Sequence, residues 1–263
     1  MPASAKKEPW TFGSVTKVIG IVGVVGVLAV LGIISSADDD SIKTNNDALS
    51  NYDSGNSQQA ISQFQQASQS AVNTDTKINT LKNLAYVYSS EGQDDQALKT
   101  FEQALALTSD GSFDYYLVAG EIAVLEDKPN SAQISYNKAY QLSPNDFQIN
   151  NALALFYLNL SDSWPQYQDY KKALGYAQKA VQLTDLEIAK QNLGMAYYFN
   201  DNYPQAISTL SSITLDKDSY TAYFLGLSYA GNEDVVNAKL YLRKAIANGV
   251  EVPQEVYDYL NSH

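Results

Sequence analysis

The 263 residues carry a formal net charge of −12, no cysteine and a single histidine, His263, at the last position. A disulfide framework, a thiolate metal site and a thiol nucleophile are therefore excluded, and no internal histidine is available to a nucleophilic triad. An acidic surface of this size repels phosphates rather than releasing their counterions, which argues against nucleic acid as a partner.

Residues 1–17 read as a short polar arm with Trp10 and Phe12 just before an apolar run, where aromatics suit a membrane interface. The arm holds Lys6, Lys7 and Lys17 against Glu8, a balance of +2, so the remainder carries −14. Val18 to Ile34, VIGIVGVVGVLAVLGII, has no charged or polar side chain. With Ser35 to Ala37 the stretch 18–37 reaches the length of a bilayer-spanning helix. It predicts a single transmembrane helix. A cleavable signal peptide is the rival reading, because Ser35-Ser36-Ala37 offers small residues for a peptidase, although the run exceeds the usual 7 to 15 residues. The lysines before the span and Asp38, Asp39 and Asp40 after it place the N-terminus in the cytoplasm and the rest in the periplasm or outside the cell. Small residues recur at Gly20, Gly23, Gly26, Ala29 and Gly32. They mark a stripe for helix packing in the membrane, with the ordinary abundance of glycine in such helices as the alternative.

Residues 38–46 read as a polar linker leading into the repeats. From there one spacing recurs six times: a small residue followed by others at offsets of four and seven. The sets are Ala60/Phe64/Ala67, Ala97/Phe101/Ala104, Ala132/Tyr136/Ala139, Ala173/Ala177/Ala180, Ala206/Leu210/Ile213 and Ala238/Leu242/Ala245. The lead alanines are 37, 35, 41, 33 and 32 residues apart. Such a set lies on one face of an α-helix, and its small residues let a second helix approach closely. The preceding helices carry an apolar residue, a small one and then an aromatic three further on: Leu84-Ala85 with Tyr88, Leu153-Ala154 with Tyr157, Leu193-Gly194 with Tyr197, and Leu225-Gly226 with Tyr229. Ala119-Gly120 with Ala123 is a degenerate copy, and the first helix, around Asn46 to Tyr52, lacks the apolar-small pair. Inside the fourth unit the turn is longer by about seven residues and holds Trp164, Pro165, Tyr167 and Tyr170, which reads either as a docking point or as local packing. Asn248-Gly249 closes the sixth unit, and residues 250–263 predict a capping helix.

These paired signatures, with a turn such as Leu142-Ser143-Pro144 after the second helix, resemble the tetratricopeptide repeat family, whose period is about 34 residues. The resemblance covers 41–249. Together with the apolar run at 18–37, it implies an all-α chain: an N-terminal single transmembrane helix followed by a right-handed α-solenoid of about six helix-turn-helix repeats. It also implies a groove lined by the first helix of each pair that binds peptides, loops or helices of partner proteins. Carried over, the groove positions are Lys82, Asn83 and Tyr86 in the second repeat, Leu117, Val118 and Glu121 in the third, and Asn151, Ala152, Leu155 and Leu158 in the fourth. The fifth adds Gln191, Asn192, Met195 and Tyr198, and the sixth Tyr223, Phe224 and Leu227. The carboxylate clamp of some family members is not reproduced, since Leu117 and Val118 stand where Lys82 and Asn83 would have their counterparts.

No chemistry-bearing constellation competes with this reading. Carboxylate pairs such as Asp94-Asp95 and Glu233-Asp234 fall at turns and helix starts, where acids are favoured for structural reasons. Asp110 to Asp114 lacks the alternating ligands and closing glutamate of a calcium loop. The expectation is a non-enzymatic, cofactor-free, membrane-anchored scaffold. Its apolar groove residues would stand exposed to take an amphipathic helix or apolar peptide of a partner protein, with closure against the C-terminal helix around Val256 to Leu260 as the alternative. The alternative is an accessory subunit or filament protomer that self-associates through its glycine-striped span.

Overall fold

The computed structural model describes residues 38–159, 163–213 and 219–262. The predicted arm 1–17, the span 18–37 and its stripe (Gly20, Gly23, Gly26, Ala29, Gly32) lie outside the described residues. Among the described residues no helix is long and apolar enough to cross a membrane.

The described chain is helical throughout. Six helix pairs follow one another: α1 (Asp39–Asp53) with α2 (Ser57–Ser70), α3 (Thr74–Ser90) with α4 (Asp94–Leu105), α5 (Phe113–Leu125) with α6 (Pro129–Leu142), α7 (Phe147–Leu158) with α8 (Tyr170–Leu183), α9 (Glu187–Phe199) with α10 (Tyr203–Leu210), and α11 (Ser219–Gly231) with α12 (Val235–Ala247). A last helix, α13 (Gln254–Ser262), stands alone. From α1 to α12 each helix packs on its neighbours in sequence. The odd-numbered helices also touch one another, α1 with α3, α7 with α9 and α9 with α11, so the odd row is the inner one.

Local chemistry explains the boundaries. Side chains of Asn73, Ser112, Asp146, Asp169 and Asp234 accept hydrogen bonds from the free backbone N–H groups that open α3, α5, α7, α8 and α12. The loop at Asp110 to Asp114 thus serves as a helix start. Each turn inside a pair needs one residue in the left-handed region. Gly55, Gly92, Asp127, Asn159, Asp201 and Glu233 fill it in order, with φ between 45° and 77°. Only the first two are glycine, which adopts that conformation without steric cost.

The alanine register accounts for the packing within pairs. All six lead alanines, Ala60, Ala97, Ala132, Ala173, Ala206 and Ala238, are fully buried. The small residue of the inner helix faces the second member of the outer triplet. A Cβ on Gly120 would lie 2.4 Å from Tyr136, one on Gly194 would lie 2.4 Å from Leu210, and one on Gly226 would lie 2.8 Å from Leu242. Size is therefore matched across each crossing, a glycine against a large partner. In the first pair Ala48 is buried in one cluster with Phe64, so the small position survives there although its apolar neighbour is replaced by Asp47.

Two expectations change. The linker read over 38–46 is mostly helix, because α1 begins at Asp39 and Asp38 is itself buried. The aromatic insertion of the fourth unit folds back instead of standing free. Phe156 packs against both Trp164 and Tyr167, the Trp164 indole N–H donates to Asp127, and the Tyr167 hydroxyl donates to Asn130. The extra residues strap the fourth unit to the turn of the third.

Candidate functional site on the inner helices

The residues assigned to the groove do fall on the inner helices, but the structure buries nearly all of them. Leu117, Val118, Leu158 and Phe224 are fully inaccessible, as are Asn151 and Asn192, and Lys82, Asn83, Tyr86, Met195, Tyr198, Tyr223 and Leu227 are also buried. Glu121, Ala152 and Gln191 join them, and only Leu155 is half-buried. The expectation of an exposed apolar stretch is corrected on this point. Apolar side chains at those positions find intramolecular partners, because the inner helices lie against one another and against the cap. Val256 and Leu260 of α13 belong to the same buried cluster as Tyr223, Phe224 and Leu227. Tyr198, Phe199, Tyr223 and Phe224 form a continuous set of ring contacts across α9 and α11.

What the polar members do was not legible in advance. They bond to one another from repeat to repeat. The Asn83 amide donates to Asn45 Oδ1 at 3.1 Å, joining α3 to α1. Lys82 Nζ reaches Asp114 at 2.6 Å and Gln148 Oε1 at 3.1 Å, tying α3 to both α5 and α7. The Tyr86 hydroxyl donates to Glu121 at 3.3 Å. Asn192 donates to Asn151 Oδ1 at 2.7 Å, and Gln191 donates to Thr221 Oγ1 at 3.1 Å, which joins α9 to α7 and to α11. A side chain within one helix has no sequence signal for a partner about 35 positions away. The one available hint is that polar residues recur at the same inner-helix position in several repeats.

The electrostatics concentrate in the third unit. Burial pushes the Glu121 carboxyl up to about 7, against hydrogen bonds from Tyr136 and Tyr86 and the charge of Lys82, which favour the ionised form. Burial and the Glu121 charge in turn push the Tyr86 and Tyr136 hydroxyls well above their ordinary range. Among the described residues no three His, Cys, Asp or Glu side chains converge as a metal site. Asp114, a polar member of the ladder, keeps a side chain that is 38% exposed. With half-buried Leu155 it marks where the inner row meets solvent.

A row of stacked helix pairs with a self-bonded inner face is the architecture of an α-helical repeat array. The family model of the tetratricopeptide repeat matches residues 41–110. The fold of the chain is similar to that of a chain in the crystal structure of the APC/C hetero-tetramer Cut9-Hcn1, at 19% identity and a TM-score of 0.58, over 84% of this chain and 42% of that one. The chain thus spans less than half the length of that relative. It is also similar to pilF of Pseudomonas aeruginosa, at 18% identity and a TM-score of 0.52, over 72% of this chain and 89% of that one. No curated protein sequence matches it at a significant level. Tetratricopeptide repeat proteins are in general protein–protein interaction scaffolds that hold peptides or proteins on their repeat surface.

Proposed function

We propose that this chain is a membrane-anchored, non-enzymatic scaffold that holds a partner protein on its repeat domain, with the N-terminus in the cytoplasm and the repeats on the extracytoplasmic side. The observation that carries the scaffold reading is the polar ladder. Side chains that could otherwise act on a substrate are spent on joining α1, α3, α5, α7, α9 and α11. A face built this way is held in one shape before a partner arrives, which lowers the ordering cost of binding. The anchor and its orientation rest on the apolar run Val18 to Ile34 and on the lysines before it. With most of the groove positions buried, the partly exposed Asp114 and Leu155 side chains are the contacts we assign to the partner.

Crosslinking of the full chain in native membranes, followed by mass spectrometry, tests the scaffold. One dominant foreign partner linked near Asp114 supports it. Crosslinks to copies of the same chain alone overturn it in favour of self-association. Protease added outside sealed spheroplasts should digest the repeats and spare the arm, and protected repeats would reverse the orientation.

A further inference from the structure

The end of the solenoid nearest the apolar run has a feature of its own. Asp38 is 1% exposed, and its carboxylate accepts three hydrogen bonds from the backbone of the α2–α3 loop. Val72 N–H donates at 2.9 Å, and Asn73 N–H bonds both oxygens at 3.1 Å. The Ser41 hydroxyl closes the arrangement by donating to the Asp38 carbonyl. The first described residue is thus pinned to the loop beside it, and α1 starts at once.

The loop so held presents an exposed apolar residue. Val72 is 71% exposed. Ser35, Ser36 and Ala37 are all that separate Ile34 from Asp38. At about 3.5 Å per residue that connection spans at most about 14 Å. The polar layer on each side of a bilayer core is about 5 to 8 Å deep. If the run Val18 to Ile34 crosses the membrane, Asp38 and the loop bonded to it cannot lie far beyond that layer.

We infer that the α2–α3 loop is the membrane-facing end of the repeat domain, with Val72 set into the lipid interface and the Asp38 carboxylate holding it there. This rests on the anchor reading given above. The occupant of the exposed valine is the bilayer into which the anchor runs. The domain then stands on the membrane through a short connection and a buried clamp, without a flexible tether, so its inner face keeps a fixed height and direction. Exposed Asp39, Asp40 and Asp75 nearby suit a neutral leaflet better than the anionic cytoplasmic one.

The chain has no cysteine, so a single introduced one can be labelled cleanly. Val72→Cys and Val236→Cys full-length chains carry an environment-sensitive fluorophore in phosphatidylcholine vesicles with a lipid-borne quencher. Val236, 79% exposed on the last pair, is the distant control. Quenching at position 72 should be at least twice that at 236. It should fall to the control value when twelve Gly-Ser residues are inserted between Ala37 and Asp38, a segment that reaches roughly 20 Å. Asp38→Ala, with helicity intact, should remove at least half of the excess. Chains that fail to float with the vesicles overturn the anchor and the inference together. Chains that float with position 72 no more quenched than 236 overturn the inference alone. Full quenching with the insert, or with Asp38→Ala, overturns the role of the short connection or of the clamp.

Discussion

The Tyr86 hydroxyl on α3 donates to the Glu121 carboxylate on α5 at 3.3 Å, inside the protein and between two repeats. With Tyr136 as a second donor and Lys82 as the nearby cation, this carboxyl still sits at about 7 in the fold, against 4.5 when exposed. The folded state therefore binds the extra proton between those values, and stability contributed by this group is full below about pH 4.5 and lost as pH rises through about 7. The shift corresponds to about 3 kcal/mol. Urea midpoints measured from pH 4 to 8 should show wild type losing stability relative to Glu121→Gln as pH rises. Parallel curves would contradict the burial of this charge.

Lys82 and Asp114 are unequal partners. The lysine is 2% exposed and the aspartate side chain 38% exposed. Removing the aspartate leaves a buried ammonium hydrogen-bonded to Gln148, with the Glu121 and Asp146 carboxyls acting on it only through space, whereas removing the lysine leaves Asp114 as a carboxylate that water can reach. Asp114→Ala should cost about 3 kcal/mol and Lys82→Met about 1. Denaturant titration of both variants and of the double variant checks the order. A larger loss for Lys82→Met would refute it.

Crossing geometry makes small residues indispensable. Ala97 is fully buried where α4 meets its neighbours, so Ala97→Leu should overpack and cost about 1 to 3 kcal/mol. Gly194→Ala places a methyl 2.4 Å from Leu210 and should behave the same way, with partial rescue by Leu210→Ala. Thermal unfolding of the three variants reads this directly.

Glu233 adopts φ 62°, a region that a long side chain occupies at a cost. Glycine already serves the same turn position at Gly55 and Gly92. Glu233→Gly should stabilise the last pair by about 1 kcal/mol. A drop in melting temperature would mean that the glutamate makes a contact worth more than the strain.

Phe224 is fully buried against Tyr198, Phe199 and Tyr223. Phe224→Ala is then a core truncation costing about 3 to 5 kcal/mol. Any loss of partner recovery it causes should track loss of the fold, as circular dichroism at the assay temperature would report. A folded Phe224→Ala protein that has lost its partner would restore this residue to the binding surface.

The six alanine registers were legible in the sequence, whereas the start of the first helix was not, since α1 begins at Asp39 inside the stretch read as a linker. Helical periodicity and small-residue spacing are local properties, and a solenoid repeats local properties along its length. The αL turn position could be read only where glycine marks it, at Gly55 and Gly92, because Asp127, Asp201 and Glu233 carry no comparable signal. What the inner row does was decided by tertiary structure alone. Lys82 meets Gln148 across 66 positions, and Asn151 meets Asn192 across 41, distances over which composition and period are silent. The family pattern gives which side of the helix these residues occupy. How closely successive inner helices approach depends on the volumes packed between pairs, and that closeness turned a predicted open apolar groove into a buried, self-bonded seam.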